Sequence, residues 1–494
     1  MQLKDKKLFR TQAFINGAWV DAASGATLPV IDPATGGQIG TVPEMDVNDT
    51  RQAIAAAHGA LEEWRKTTTK TRHRILSKWA QLMLEHKDDL ATIMTLENGK
   101  VSAKGEVVYA QSFVEWFAEE AKRIYGDVIP APDGGQRCLV VKQPVGVCSI
   151  ITPWNFPSAM ITRKAGAALA AGCTVVIKPA AETPYSALAL VELAIRAGVP
   201  NGVINIVTTD KHIKDVGHLL CTSDFVSKVS FTGSTSIGKL IMQQCSSGIK
   251  RVSLELGGNA PFVVFDDADP EAVVEGLMNS KLRNAGQVCV APNRIYVQSG
   301  IHERLSQLLV ARLEKLRVGG GFVENVHVGP LISEQARRKV LEHIEDAVKR
   351  GGRVLLDGRQ RQIEDITHEG GFFVHPTIIS ELPTDALVNA EETFGPLLAM
   401  SIFDTEEEAI KLANNTKAGL SAYVYTRDIS RVFRVSEAIE AGMLSINGAV
   451  ISSAVTPFGG LKESGIGYEG SKYGVEEYVS KKLIAIGIEE KARI

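Results

Sequence analysis

Runs of β-branched and other apolar residues alternate with stretches of helical periodicity from residue 147 onward. The apolar runs predict strands at 147–152, 174–177, 203–207 and 228–231, and a further strand that ends at Glu255. The periodic stretches predict helices at 158–171, 185–197 and 236–245. Such alternation is typical of βαβ units on a parallel sheet, which binds ligands at the carboxyl ends of its strands. This part of the chain is therefore predicted to be a nucleotide-binding α/β layer.

A second alternating series begins after Glu255. It predicts strands at 262–265, 294–297, 420–425 and 443–447, and helices at 270–283 and 303–316. Two earlier amphipathic stretches, 49–64 and 103–125, predict helices that pack against the first layer. The segments 129–143 and 477–488 fit neither layer, and we expect them to project as strands that pair with another subunit.

The pattern divides the chain into three units. We expect a cofactor-binding domain at 1–124 and 145–254, a catalytic domain at 255–469, and oligomerisation strands at 125–144 and 470–494. A length of 494 residues agrees with this division at about 150 residues per domain. The predicted fold class is α/β.

Charge and composition limit the partners of the protein. The formal net charge is -3, so no electrostatic argument favours nucleic acid or an anionic membrane surface, and we expect a small-molecule partner. The longest apolar run, 165–177, is interrupted by Gly172 and is too short to span a bilayer. The charged start, 1–10, lacks the apolar stretch of a signal peptide.

These features predict a cytoplasmic protein, with a mitochondrial or peroxisomal location left open. The tripeptide Ala492-Arg493-Ile494 faintly resembles a peroxisomal address, although its last residue departs from the usual form. The six cysteines are scattered without a C-x-x-C pair, so the sequence indicates neither a zinc site, nor another metal site, nor a disulfide framework.

Two glycine-flanked signatures carry candidate chemistry. The heptapeptide 283–289, Arg-Asn-Ala-Gly-Gln-Val-Cys, ends at Cys289, and Glu255 begins the sequence Glu-Leu-Gly-Gly. A free thiol has a pKa near about 8.5, so a nucleophilic cysteine needs surroundings that favour the thiolate. The small Ala285-Gly286 pair favours a helix that ends in a tight turn beside backbone donors. The two signatures predict a thiol nucleophile and a carboxylate base in one site.

Two further features lie where predicted strands end. Gly233 and Ser234 follow one strand and open a helix, so backbone N–H groups there would face a phosphate. The segment is not a P-loop, because Leu240 stands where magnesium requires a hydroxyl, and alone it could be a simple strand-to-helix turn. Lys178 ends another strand, where it could hold ribose hydroxyls or a 2′-phosphate, or be an ordinary surface lysine.

Two aromatic loops complete the candidate set. In the loop 152–157, Trp154 precedes Asn155, whose amide is suited to an oxyanion hole or to a structural Asx turn. In the loop 391–396, Glu392 and Phe394 lie beside a glycine-proline turn. That second loop would by itself be interpreted as a solvated loop.

Together these motifs resemble the aldehyde dehydrogenase superfamily over essentially the whole chain. The resemblance is strongest to succinate-semialdehyde dehydrogenases, through the segments 159–164, 168–174, 253–261 and 469–474. It implies a Rossmann-type cofactor domain, an α/β catalytic domain and a β-strand oligomerisation extension that forms a homodimer or homotetramer. By this resemblance Cys289 is the nucleophile, Glu255 the general base, and Asn155 an oxyanion donor together with the backbone N–H of Cys289.

The resemblance also implies a reaction and a cofactor site. The thiolate adds to an aldehyde, hydride passes to a nicotinamide, and water activated by Glu255 hydrolyses the resulting thioester. Lys178 and Glu392 would hold the ribose rings, Ser234 the pyrophosphate and Phe394 the nicotinamide side. The positions of Lys178 and Glu469 are also expected to take part in a proton relay. The full set of implied cofactor residues is Trp154, Lys178, Ala181, Gly233, Ser234, Glu392 and Phe394.

Cofactor choice is predicted from the third residue after Lys178. Relatives that prefer NAD usually carry a glutamate there, which accepts from the 2′-hydroxyl and repels a 2′-phosphate. This chain has Ala181, with Glu182 one position further on. The repulsive element is missing, so the sequence favours NADP with NAD tolerated.

The substrate prediction rests on three positions that match a carboxylate clamp of the semialdehyde group. They are Arg163, Arg283 and Ser452, although each arginine could instead be a structural ion-pair partner. The chain departs from the group at Ala291, where a second cysteine is common, so the redox switch of that pair is not expected. Tyr468 replaces a common arginine, and the segment 454–456 also differs.

Three alternatives remain open at this stage. The enzyme could oxidise another semialdehyde or a biosynthetic aldehyde. It could transfer the acyl group to CoA, although such enzymes generally lack the glutamate at the position of Glu255. A non-catalytic oligomer that has kept the fold is disfavoured by the intact set of Cys289, Glu255, Asn155 and Lys178.

Overall fold

The structure is a computed structural model that describes residues 3–132, 134–361 and 370–488. Its helices are α1 (Val47–Lys66), α2 (Thr69–Glu85), α3 (Lys87–Asn98), α4 (Ala103–Glu120), α5 (Ala159–Ala171), α6 (Pro184–Arg196), α7 (Ile213–Thr222), α8 (Thr235–Cys245), α9 (Pro270–Lys281), α10 (Ser299–Leu313), α11 (Glu334–Lys349), α12 (Leu387–Ala390), α13 (Glu406–Asn414), α14 (Ile429–Ala438) and α15 (Ser471–Glu476).

The strands are β1 (Ala13–Ile15), β2 (Ala18–Val20), β3 (Thr27–Ile31), β4 (Gln38–Pro43), β5 (Asp127–Ile129), β6 (Gln136–Pro144), β7 (Val147–Ile151), β8 (Thr174–Lys178), β9 (Ile204–Ile206), β10 (Val226–Thr232), β11 (Arg251–Glu255), β12 (Pro261–Val264), β13 (Arg294–Gln298), β14 (Arg353–Leu356), β15 (Thr377–Ser380), β16 (Leu397–Phe403), β17 (Ala418–Gly419), β18 (Ser421–Tyr425), β19 (Met443–Ile446), β20 (Leu461–Lys462), β21 (Gly465–Ile466) and β22 (Val479–Gly487). The tripeptide 492–494 and the end of the predicted oligomerisation segment, 489–494, lie outside the described residues.

The first large sheet has the order β2-β1-β9-β8-β7-β10-β11-β21. Its five central strands, β9-β8-β7-β10-β11, are parallel. The strands β1 and β2 at one edge and β21 at the other pair antiparallel. The strands and helices predicted for the first layer are all present, with ends that move by one or two residues. This confirms the predicted parallel α/β layer, because the apolar runs that make the strands are buried on both faces.

The second large sheet has the order β14-β15-β16-β13-β12-β18-β19. All of its strands are parallel except β14. The predicted strands β12, β13, β18 and β19 are confirmed, whereas β14, β15 and β16 were not predicted. The mixed α/β fold class is therefore confirmed, while the division into the three predicted domains stays a prediction.

The projecting segments form a three-stranded antiparallel sheet, β22-β6-β5. The strand predictions for both segments are confirmed. Val128 and Leu483 leave 76% and 61% of their surfaces exposed on this sheet. No helix in the described part of the chain is long and apolar enough to cross a bilayer.

The helix α5 lies at the centre of the first core, and every one of its residues is buried. It packs against α4, whose Phe113 and Phe117 are also fully buried. The predicted helix 103–125 is shorter than expected, because α4 gives way to a 3₁₀ turn at Ala121–Arg123. Because α5 is buried all round, its charged residues Arg163 and Lys164 require partners inside the protein.

Candidate active site

An unusual turn places Cys289. The helix α9 ends at Lys281, and the following residues Asn284 and Ala285 have φ values of 50° and 54°. Gly286 continues this left-handed path with φ 79°, and a Cβ there would lie 2.3 Å from the backbone oxygen of Gly395. Left-handed non-glycine residues are strained and are held by their surroundings. The turn confirms the tight geometry predicted for this segment and brings Cys289 to the surface of a cleft.

The second glycine-flanked signature meets the first. Glu255 is the last residue of β11, and Gly258 lies against the main chain of Cys289. A Cβ at Gly258 would lie 2.3 Å from the backbone oxygen of Cys289, so only glycine permits this approach. The carboxylate oxygens of Glu255 are buried and have no hydrogen-bond partner among the described residues.

Burial controls the protonation of both groups. It raises the pKa of the Cys289 thiol to about 12, with Glu392 and Glu255 raising it further and the arginines Arg163 and Arg283 lowering it. Burial also raises the pKa of Glu255 well above its usual range, and the carboxylate of Glu469 adds to this. The Cys289 thiol is thus protonated at neutral pH in the ligand-free protein, whereas the two guanidinium groups favour its thiolate form.

Asn155 lies in the buried loop between β7 and α5. Its Nδ2 donates to the backbone oxygen of Gln287 at 3.1 Å, which ties it to the turn before Cys289. Its Oδ1 has no partner among the described residues. A primary amide has two N–H donors, so one of them remains for a ligand oxygen.

A cleft of about 750 Å³ joins most of the predicted site residues. From the sequence prediction it contains Trp154, Asn155, Gly233, Ser234, Cys289, Glu392 and Phe394. Glu182 also lines the cleft, whereas Lys178 and Ala181 are not part of its wall. Lys178 is buried at the end of β8, where its Nζ donates to the backbone oxygen of Pro179 at 3.1 Å.

One wall of the cleft is the turn from β10 into α8. The N–H of Gly233 donates to the backbone oxygen of Glu255 at 3.1 Å. Ser234 caps α8 by accepting from the N–H of Ile237 at 3.4 Å. The start of α8 therefore presents backbone donors and the positive end of the helix dipole to the cleft, as a pyrophosphate requires.

Glu392 and Phe394 also line the cleft. Glu392 Oε1 accepts from the N–H of Gly258 at 3.4 Å, and burial raises the pKa of this carboxyl to about 7. Phe394 has a left-handed φ of 55°, and its ring makes a T-shaped contact with Trp154 at a centroid distance of 5.6 Å. A helix start, a half-buried carboxylate acceptor and an aromatic pair around one cleft fit a nicotinamide dinucleotide.

The expected relay between Lys178 and Glu469 is wrong. Glu469 pairs with Arg163, at 2.8 Å from Nε, and with Lys164, which also donates to Thr232 Oγ1 at 2.7 Å. Lys164 was missed as a functional candidate, although it stands beside Arg163 in the sequence. The signal was the apolar character of α5 around it, because a lysine inside a fully buried helix needs an anionic partner.

The three substrate candidates do not line this cleft. Arg163 is buried between the rings of Phe458 and Phe113, with its guanidinium carbon 4.1 and 4.9 Å from their centroids. Its Nη2 has no hydrogen-bond partner among the described residues. Ser452 is half-buried and shares a hydrogen bond with Tyr109.

Arg283 differs from Arg163 in its surroundings. It is exposed, makes no ion pair with any described residue, and lies 5.1 Å above the ring of Phe156. It lines a separate cavity of about 390 Å³. Both arginines nevertheless lower the pKa of Cys289, so the cationic groups act on the thiol from outside the large cleft.

Comparison with known proteins gives four concordant findings. A model of the aldehyde dehydrogenase family matches residues 19–484. The succinate-semialdehyde dehydrogenase [NADP(+)] of Escherichia coli K12 is 55% identical over 99% of this chain and 100% of its own length. A glutarate-semialdehyde dehydrogenase of Pseudomonas putida KT2440 is 56% identical with the same coverage. A crystal structure of an Escherichia coli NADP-dependent enzyme superimposes with a TM-score of 0.95 at 55% identity, covering 99% of this chain and 100% of the other.

Proposed function

The chain belongs to the aldehyde dehydrogenase family, and we propose that it oxidises succinate semialdehyde to succinate with NADP or NAD as the hydride acceptor. The observation that carries the proposal is the convergence on Cys289 of a buried carboxyl, Glu255, an amide donor, Asn155, and two arginines, Arg163 and Arg283. The first two groups serve the oxidation of any aldehyde. The arginines favour an aldehyde that carries a distal carboxylate.

The reaction begins at the thiol. The Cys289 sulfur forms a bond to the aldehyde carbon, and the carbonyl oxygen becomes an alkoxide. The Nδ2 of Asn155 and the backbone N–H of Cys289 donate to that oxygen, and such donors typically contribute a factor of about 10² to 10³ in rate. Deprotonation of the thiol is assisted by the positive charge of Arg163 and Arg283.

Trp154, Gly233, Ser234, Glu392 and Phe394 line the cleft and would hold the dinucleotide. Lys178 and Ala181, which do not line the cleft, are assigned to the same cofactor by the sequence resemblance alone. When bound there, its nicotinamide supplies the hydride acceptor that oxidises the thiohemiacetal carbon to a thioester. Glu255 then takes a proton from water, which attacks the thioester carbon and releases the carboxylic acid and the thiol.

The presence of Glu255 supports hydrolysis over transfer to CoA. Its raised pKa makes it a stronger base than a solvated carboxylate, as activation of water requires. The buried network of Lys164, Glu469 and Thr232 adjoins this residue and offers a path for the proton. Formation of an acyl-CoA product would contradict this part of the proposal.

Arg283 provides the sharpest test of the substrate, because it is exposed and holds no ion pair in the described structure. We expect Arg283→Ala to lower kcat/KM for succinate semialdehyde by roughly 10- to 100-fold, the loss of one charged hydrogen-bond donor of about 1.5 to 3 kcal/mol. For butanal, a neutral aldehyde of equal length, the change should stay within about twofold.

Arg283→Lys is the matched control, since it keeps the charge but loses the bidentate geometry. It should retain more of the activity on the semialdehyde than the alanine variant. Equal losses on both aldehydes would overturn the carboxylate clamp while leaving aldehyde oxidation intact.

Glutarate semialdehyde is the second candidate substrate, because a glutarate-semialdehyde dehydrogenase is as similar as the succinate-semialdehyde relative, at 56% against 55% identity. Both substrates carry a distal carboxylate, and they differ by one methylene. The ratio of their kcat/KM values, measured with both cofactors, decides between them. A higher value for glutarate semialdehyde would reassign the substrate.

Three further predictions accompany the proposed function. The cofactor preference is proposed to be NADP, because Ala181 lacks the carboxylate that would repel a 2′-phosphate. The division into cofactor-binding, catalytic and oligomerisation units is also proposed, since every strand of the first large sheet except β21 lies before or ends at Glu255 and every strand of the second lies after it. The cytoplasmic location stays a prediction.

A further inference from the structure

A buried ion pair lies directly behind the loop that carries Asn155. Lys100 follows α3, Glu106 lies in the first turn of α4, and the two side chains form an ion pair in which each is only 1% exposed. Neither residue lines the large cleft, and neither was singled out from the sequence. Burying a charged pair costs more than its attraction returns in many proteins, so its presence calls for a function other than stability.

The contacts of the pair converge on one segment. Lys100 Nζ donates to the backbone oxygen of Asn155 at 2.6 Å. Glu106 Oε1 accepts from the N–H groups of Ser158 and Ala159, at 3.0 and 3.4 Å, where α5 begins. The pair therefore holds the main chain both at Asn155 and at the start of the next helix.

The same segment is tied to the nucleophile turn by two reciprocal hydrogen bonds. Asn284 Nδ2 donates to the backbone oxygen of Asn155 at 3.0 Å. In return, Asn155 Nδ2 donates to the backbone oxygen of Gln287 at 3.1 Å. The backbone oxygen of Asn155 thus accepts hydrogen bonds from both Lys100 and Asn284. The position of this peptide group sets the direction in which the Asn155 side-chain amide points.

We propose that Lys100 and Glu106 form a positioning pair that fixes the Asn155 peptide, and through it aims the Asn155 amide at the oxygen that becomes negative during thiol addition. The inference deepens the proposed function, because it assigns no new reaction and rests on the oxyanion role of Asn155. A fixed donor costs no reorganisation when the charge develops, so a loose peptide loses catalysis without losing the fold.

The test uses hydrolysis of p-nitrophenyl acetate by the full-length, cofactor-free protein. In this reaction the Cys289 sulfur bonds to the acetyl carbon, p-nitrophenolate leaves with the electron pair of the broken C–O bond, and the thiol proton passes to solvent. Water then hydrolyses the acetyl thioester. The step develops an oxyanion but requires neither a distal carboxylate nor a hydride acceptor, so it stays informative even if the proposed substrate is wrong.

We expect Lys100→Met to lower the acylation rate constant by tenfold or more. Alkylation of Cys289 by iodoacetamide should change by less than about twofold, because that displacement develops no oxyanion. If Lys100→Met does not fold, Lys100→Met/Glu106→Gln supplies the same comparison without an unpaired buried charge. Equal losses in acylation and alkylation would show general damage to the site and overturn the proposal.

A double-mutant cycle with Asn155→Ala distinguishes positioning from a structural effect. If Lys100 acts through the amide of Asn155, its substitution should cost less than about twofold further once that amide is gone. Losses that multiply in the double variant would overturn the proposal.

Glu97→Gln is the matched control for Glu106→Gln. Glu97 is also buried and also accepts from two backbone N–H groups at a helix start, those of Tyr185 and Ser186, both at 2.7 Å. It makes no contact with Asn155 in the described structure. Esterolysis should survive Glu97→Gln and fall with Glu106→Gln, and an equal fall in both variants would contradict the inference.

Discussion

Burial holds the Cys289 thiol in its protonated form at neutral pH. The pKa of Cys289 is raised to about 12, mainly by desolvation, and only the two arginines oppose this. Burial also raises the pKa of Glu255. A site that keeps its thiol protonated until ligands arrive protects it from oxidation and alkylation, since the thiolate is the reactive form.

The raised pKa of Cys289 predicts the pH dependence of its alkylation. Below the pKa the thiolate fraction rises tenfold per pH unit, so the rate with iodoacetamide in the cofactor-free protein should increase continuously from pH 6.5 to 9.5. Mass spectrometry of the peptide that contains Cys289 measures this rate. A plateau below pH 9 would contradict the prediction, and Cys289→Ala controls for the other five cysteines.

The uncharged side chain of Ala181 predicts a preference for NADP over NAD. Ala181→Glu should shift the ratio of kcat/KM for NADP over NAD downward by about tenfold or more, which is about 1.4 kcal/mol of repulsion against the 2′-phosphate. Ala181→Gln has nearly the same size without the charge and should shift the ratio less. An unchanged ratio in the glutamate variant would remove the argument for NADP.

At the scale of elements, buried carboxylates tie helix starts to the rest of the core. Glu106 from α4 holds the start of α5, and Glu97 from α3 holds the start of α6. In both cases the carboxylate accepts from backbone N–H groups that have no partner within the helix itself. The two carboxyl groups thereby connect α4 to α5 and α3 to α6.

Glu97 predicts a pH dependence of stability. Burial raises its pKa to about 8, so the folded protein binds this proton more tightly than the unfolded chain does. The stabilisation is fully present below the unfolded pKa of about 4.5, and it is lost as the pH rises through 8. The free energy of unfolding, measured in urea at fixed protein concentration, should therefore fall across this range by an amount that Glu97→Gln removes.

Glu44→Gln is a control in which the pH dependence of stability should change in the opposite direction. Burial alone would raise the pKa of Glu44, but hydrogen bonds from Thr209 and from the N–H of Asp210 lower it overall. The stability from Glu44 is therefore present above the unfolded pKa and is lost in acid. A pH profile that is unchanged in Glu97→Gln would contradict the assignment of Glu97.

At the scale of the whole molecule, the three-stranded sheet β22-β6-β5 is the feature that the single chain leaves incomplete. Its strands carry exposed apolar side chains, and the outer edge of β22 has no pairing strand among the described residues. Exposed apolar strands with a free edge favour association. We propose that a second copy of the chain covers this sheet.

Substitutions on this sheet test the association. Val128→Lys and Leu483→Lys, at residues 76% and 61% exposed, should lower the mass measured by sedimentation towards that of one chain of 53.2 kDa. Phe433→Lys on α14 is a control at an apolar residue of similar exposure, 60%, and should leave the mass unchanged. A wild-type protein that already sediments as a single chain would contradict the prediction.

The sequence by itself determined the local elements and the chemical identity of the site. Periodicity placed the central strands of the first layer and the helices α5, α6 and α8 within one or two residues, because buried parallel strands and amphipathic helices have distinct apolar patterns, whereas β1, β2, α7 and β21 were not predicted. The Ala285-Gly286 pair indicated the tight turn before Cys289, and the sequence motifs identified Cys289 and Asn155, which the fold brings to one cleft.

Only the tertiary structure decided which residues are partners. It paired Glu469 with Lys164 instead of the expected Lys178, separated Arg283 from the large cleft, and placed Lys100 and Glu106 behind Asn155. These contacts join residues from 6 to 305 positions apart. The physical reason is that the pKa of a buried group and the free energy contributed by an ion pair depend on the atoms that pack around them in three dimensions. Sequence spacing does not determine that packing.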